Sequence, residues 1–143
     1  MNDYMNVIRN NYANFTGRAR RREYWMFSLV NAAVLLVLAI LMAVGGLNIF
    51  MPIDPYNPPT VSATGWLFFA IYMIYALGVF VPSLAVAVRR LHDTDKSGWM
   101  YLLVLIPFVG SIILLVFLAT DGKPGNNKWG PNPKGQGVVT PGF

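Results

Sequence analysis

The sequence predicts an all-α membrane protein of about three transmembrane helices, with an N-terminal interfacial helix and a Gly/Pro-rich C-terminal tail. Three observations carry that prediction. Of 143 residues, 55% are hydrophobic and only 12% charged, about half the roughly 25% charged content of a soluble domain. A chain this short has too much surface for its volume to hide so many apolar side chains in one aqueous core. The charges are also segregated: from Tyr24 to Leu91 the only acidic residue is Asp54, and the only basic ones are Arg89 and Arg90.

The whole chain reads as one membrane domain, 1–143. Its leader, 1–23, is polar and basic. Tyr4, Ile8, Tyr12 and Phe15 recur at i, i+4, i+8 and i+11, which suits a short helix lying in the headgroup region. Thr16-Gly17 breaks that pattern before Arg18, Arg20, Arg21 and Arg22. The leader is too long, and the apolar run behind it too extended, for a cleavable signal peptide. A retained first span is expected.

That span, 24–47, is uncharged and rich in Leu, Val, Ala and Met. At 1.5 Å per residue it reaches about 36 Å, enough for a hydrocarbon core of about 30 Å. Tyr24 and Trp25 stand where interfacial aromatics belong. The external loop, 48–64, carries Pro52, Pro55, Pro58 and Pro59, which is turn chemistry. The second span, 65–88, opens on Gly65-Trp66, contains Pro82 and closes on Arg89-Arg90. The proline removes a backbone donor and frees a carbonyl near Gly78.

Residues 89–97 form a short cytoplasmic loop. The third apolar stretch, 98–120, is interrupted by Pro107 and Gly110. It either crosses completely or re-enters as a hairpin turning at Pro107–Gly110. The tail, 121–143, holds six glycines and four prolines, so it is a turn-rich cap or a loose end, not a regular element.

Lysine and arginine counts orient the chain. The leader has five, the second loop three and the first loop none, so the N-terminus is expected in the cytoplasm. The tail conflicts with three full crossings, because Lys123, Lys128 and Lys134 outnumber Asp121 there. Re-entrance would put every Lys and Arg on one side, provided the turn satisfies its own backbone. The formal charge of +5 sits at the ends of apolar segments, which points to anionic lipid headgroups rather than nucleic acid.

Candidate chemistry is sparse. There are no cysteines, which excludes disulfides, thiolate catalysis and Cys-based metal sites. His92, beside Asp93 and Arg89, is the single histidine; it reads as an anion-binding or proton-exchanging group, or as part of a structural hairpin in which Asp93, Asp95 or Ser97 caps a helix. One histidine makes neither a triad nor a convincing metal set with Asp93, Asp95 and Asp121. No catalytic residue, metal site or cofactor is expected. The ligand or lipid-headgroup candidates are Arg18, Arg21, Arg22, Arg89, Arg90, His92 and Asp93. Asn31 and Pro82 are helix-packing candidates, with Asn31 hydrogen-bonding the carbonyl near Gly78. Trp66, Phe69, Tyr72 and Tyr75 form a packing stripe whose buried hydroxyls need partners. No ionisable residue lies mid-membrane, which counts against an ion pump.

Three strings carry a resemblance: Phe15-Thr-Gly-Arg-Ala-Arg-Arg-Arg-Glu-Tyr-Trp25, Arg89-Arg-Leu-His-Asp-Thr-Asp-Lys-Ser-Gly-Trp99 and Gly125-Asn-Asn-Lys-Trp-Gly-Pro-Asn-Pro-Lys-Gly135. In order and in content the chain resembles the bacterial family known as domain of unknown function 805, the YhaH/YhaI-like inner-membrane proteins. Met100 and Trp129 are the departures, where Trp and Tyr are usual. The resemblance implies a multi-pass protein of the bacterial inner (plasma) membrane and supplies no activity. The leading expectation is a non-enzymatic interaction or structural protein. It contacts anionic lipid or ligand through its basic motifs and associates with itself or a membrane partner. An oligomeric small-solute channel or transporter lined by Asn31, Tyr72 or Tyr75 is the alternative. An enzyme acting on headgroups with His92 as base is a third reading.

Overall fold

A computed structural model describes residues 2–45, 56 and 62–135. Most of the predicted external loop therefore lies outside the described residues, as does the end of the tail. The elements run in chain order: α1 (Asn2–Met5) continuing as a π-helical turn (Asn6–Asn10), α2 (Arg21–Val44), α3 (Ala63–Asp93), a 3-10 helix (Gly98–Leu105) and α4 (Val109–Ala119). The described residues contain no strand, only one isolated bridge between Asn127 and Gly130. The fold class is all-α: two long apolar helices and a shorter one.

At 24 and 31 residues, α2 and α3 are long enough to cross a bilayer. Their most apolar windows are only 11% and 28% buried, whereas the core helix of a soluble protein would be mostly covered. Leu29, Leu36, Val37 and Ile40 on α2 are exposed, as are Leu67, Ile74, Leu77 and Phe80 on α3. Apolar surface of this kind belongs in lipid. Helix α2 starts three residues earlier than hydropathy suggests. Helix α3 continues five residues past Val88, through Arg89-Arg90-Leu91-His92-Asp93. The expected 89–97 loop is thus mostly the last turn of a helix, because the two arginines find partners inside the fold.

The chain divides into two units, Leu29–Phe80 and Met1–Ser28 with Val81–Phe143. In the first, Tyr75 Oη donates to Asn31 Oδ1 at 2.6 Å. At the other end Gly65 N donates to Ser62 Oγ at 3.1 Å, an N-cap for α3, while the Ser62 hydroxyl donates to the Gly45 carbonyl. Gly45 lets the helix ends approach: a Cβ there would lie 3.1 Å from Phe68 and 3.3 Å from Gly65 N.

In the second unit, Val7, Ala19, Phe27 and Val86 form one apolar cluster, with Tyr4, Ile8 and Tyr24 packed against it. The leader helix ends at Asn10, so Tyr4 and Ile8 pack inward while Tyr12 and Phe15 stay exposed. A second cluster joins Leu91, Leu114 and Leu118. Between the 3-10 helix and α4 the chain reverses over Ile106-Pro107-Phe108, with Phe108 at φ 59°. The reversal satisfies its own backbone: Ile106 N bonds Leu103 O, Val109 N bonds Pro107 O and Gly110 N bonds Ile106 O. Gly110 is required there, since a Cβ would overlap the Leu103 carbonyl.

Candidate functional site

The leader arginines, the end of α3 and the tail meet in one buried polar network. Arg18 Nε donates to Asp93 Oδ1 at 2.9 Å, with side-chain exposures of 1% and 2%. The same guanidinium donates to the carbonyls of Lys123 at 2.6 Å and Gly125 at 2.7 Å. Arg90, fully buried, pairs through Nη1 with Asp93 Oδ2. It also donates to Leu118 O at 3.0 Å and to Thr120 O. Those two carbonyls belong to the C-terminal end of α4, where the helix dipole favours a cation. One carboxylate and one helix end thus balance two buried guanidinium ions. Burial pushes the Arg90 pKa down and Asp93 opposes that shift; a guanidinium remains charged regardless.

Arg89 turns the other way, its Nη2 donating to Glu23 Oε1 at 2.9 Å, and its carbonyl accepts from Ala19 N at 3.0 Å. Lys123 N donates to the Asp93 carbonyl at 2.9 Å and Asn127 Nδ2 to the His92 carbonyl at 2.8 Å. Gly122 sits directly on the Asp93 carboxylate, where any Cβ would overlap it. The tail is therefore a cap.

His92 is 4% exposed. Its ring stacks on Trp129 at 3.6 Å with 5° between the planes, and Nδ1 lies 3.1 Å from the Gly17 carbonyl. A carbonyl only accepts, so Nδ1 carries the proton. Burial lowers the imidazole pKa, the Gly17 bond opposes this and Lys128 adds to it, so the ring is neutral at pH 7 and Nε2 is a bare acceptor. Beside it opens a cleft of about 440 Å³ walled by Phe15, Leu84, Val88, His92, Tyr101 and Trp129, with Ser97, Trp99 and Leu102 at its edge.

The sequence candidates thus separate. Arg18, Arg89, Arg90 and Asp93 are turned inward and are not placed to touch headgroups, because each satisfies another buried group. Arg21 and Arg22 remain exposed, bonded to Asp121 and Asp3. Asp95 does not cap a helix start: it sits at φ 61° after α3 and pairs with Lys123. Ser97 Oγ accepts from Trp99 N at 3.4 Å and starts the 3-10 helix. Asn31 accepts from Tyr75, and Pro82 is buried within α3. Among the described residues no three His, Cys, Asp or Glu side chains converge as metal ligands. Glu23, Gly122, Asn127 and Trp129 escaped the sequence reading. An aromatic inside a Gly/Pro-rich polar tail was the signal available for Trp129.

Residues 12–131 match the model of a family described as "Protein of unknown function (DUF805)". The chain belongs to this family. The DUF805 match covers the Arg18–Asp93–Arg90 network and Trp129, and confirms the resemblance carried by the three strings. Two relatives from Escherichia coli (strain K12) share this length. The inner membrane protein YhaI is 43% identical over 131 residues, covering 92% of this chain and 94% of the relative. The inner membrane protein YhaH is 44% identical over 134 residues, covering 94% and 98%. No solved structure matches the chain. Together with two long exposed apolar helices, these relatives make the chain a DUF805 membrane protein of the inner-membrane kind.

Proposed function

We propose that this DUF805 protein is a non-enzymatic interaction protein of the bacterial inner membrane that presents a single folded cap to the cytoplasm. The observation that carries the reading is the Arg18 guanidinium, which bonds Asp93 at the end of α3 and the Lys123 and Gly125 carbonyls of the tail. Leader, helix end and tail then share one membrane face, so the chain crosses twice and the segment 98–120 is re-entrant. Element lengths support this. The 11 residues of α4 span about 16 Å and the 8 of the 3-10 helix about 16 Å, each about half of a hydrocarbon core.

On this reading the exposed Arg21 and Arg22 rim the cap, and the cap docks on anionic headgroups, each such cation contributing about 1 kcal/mol near a charged surface. Asn31 and Tyr75 hydrogen-bond each other, which favours the interaction reading over a channel lined by them. Because the chain has no cysteine, single introduced thiols test the topology. In intact cells, Tyr56→Cys should react with a membrane-impermeant maleimide. Asn10→Cys and Lys128→Cys should react only after the inner membrane is opened. Labelling of Lys128→Cys from outside would overturn the shared cap.

A further inference from the structure

The cleft beside His92 carries chemistry that the arginine network does not use. Its volume, about 440 Å³, falls within the roughly 300–1,000 Å³ of small-molecule sites. The walls are apolar and aromatic, and among the described residues no Lys, Arg, Asp or Glu lines it. A phosphate or carboxylate head would find no counter-charge on that described lining. The polar groups of the lining itself are neutral, while the Lys128 ammonium, outside the lining, sits 5.0 Å over the Trp129 ring. His92 Nε2 borders the cleft at Gly98, where a Cβ would come within 3.4 Å of it. With Nδ1 committed to the Gly17 carbonyl, Nε2 offers a lone pair to a donor. Trp129 contributes ring surface only, because its Nε1 is sealed from solvent. Ser97 adds a hydroxyl at the edge. The acceptor belongs to a flat stacked pair, and Trp99 and Leu102, which also line the cleft, are exposed.

We propose that this cleft binds an uncharged, membrane-soluble molecule whose planar, hydroxylated ring is carried on an apolar chain, a lipid quinol by class. The ring lies among the aromatic walls, its hydroxyl donates to His92 Nε2, and its chain leaves past Leu102 toward the hydrocarbon. Only binding is assigned. The flat walls favour a ring over a glycerol head, and the neutral lining favours it over a phospholipid. The site lies wholly within the unit Met1–Ser28 with Val81–Phe143 and its lining is the same whichever way the third segment crosses; a thiol-labelling result that overturns the topology leaves the binding result standing, and the reverse.

The test uses the full chain in detergent micelles with decylbenzoquinol as probe, read by equilibrium dialysis. One saturable site per chain is expected. His92→Phe keeps a flat ring against Trp129 and removes the acceptor, and should weaken binding about three- to tenfold. Leu102→Trp changes an exposed rim position and narrows the entrance, and should weaken binding about tenfold. Excess dioleoylglycerol or dioleoylphosphatidylglycerol should not displace the probe. Failure of the unaltered chain to saturate would overturn the proposal, as would unchanged affinity in either variant. Displacement by either glycerolipid would reassign the cleft to acyl chains in general.

Discussion

Replacing Asp93 with Asn isolates the charge balance of the cap. The two side chains are nearly isosteric, so the change removes one negative charge from between Arg18 and Arg90 and turns one of the two accepting oxygens into a donor that faces a guanidinium. Both guanidinium groups are buried, with exposures of 1% and 0%, and neither can reach water without opening the cap. Removing one partner of a buried pair costs about 3–5 kcal/mol. The carbonyls of Leu118, Thr120, Lys123 and Gly125 still hold the two cations, which argues for the lower half of that range. At about 1.4 kcal/mol per tenfold, the open cap should become at least about a hundredfold more populated. Limited trypsin digestion reads that population directly when opening and closing outpace cleavage, with the Lys128–Trp129 bond as reporter, since Pro124 blocks cleavage after Lys123. Asp3→Asn is the matched control, because its Arg22 partner is 77% exposed and such a pair contributes about 0–1 kcal/mol. Equal digestion of the two variants would refute the claim that Asp93 holds the cap.

Other perturbations follow from the same geometry. Gly122→Ala drives a methyl into the Asp93 carboxylate and should cost about 1–3 kcal/mol, seen as faster tail digestion. Gly125→Ala meets open space but sits at φ 75°, so a loss near 1 kcal/mol is expected. Tyr75→Phe removes the donor to Asn31 and should lower stability in detergent by about 0.6–1.7 kcal/mol, measured by thermal unfolding. Burial holds the His92 imidazole below its ordinary pKa, so the fold favours the neutral ring. Its contribution is complete above about pH 6.5 and is lost as pH falls below that value. Hydrogen exchange across 121–135, corrected for intrinsic rate, should show extra opening at pH 5.5 that His92→Phe lacks.

Hydropathy located α2 and α3 because each needs an uninterrupted apolar run to satisfy lipid. It misjudged their ends because charge was read as exit into water. Arg89 and Arg90 remain helical since Glu23 and Asp93 accompany them, and such pairing across 66 residues leaves no local trace. Proline and glycine at 107 and 110 marked the break in the third segment, though not that the second arm, α4, would end on the Arg90 guanidinium. The motif strings were visible as strings. Their shared purpose was not, since Arg18 is held in part by backbone carbonyls of the tail, which any residue type supplies. Trp129 was hidden for the opposite reason: its role lies in a ring stack with a histidine 37 positions earlier.

Arg18 and the Gly125 carbonyl that accepts from it are 107 residues apart. At about 5–20 residues per second, a ribosome needs roughly 5–20 s to make the second after the first. During that interval Arg18 and Arg90 have no finished cap to enter, and hydrated arginines can wait at the surface at little cost. Closure is consequently among the last steps of biogenesis, and it reports that everything between the two ends has been made. A chain arrested before Gly125 would retain both long helices yet display its arginines, a distinction that a quality-control protease can read.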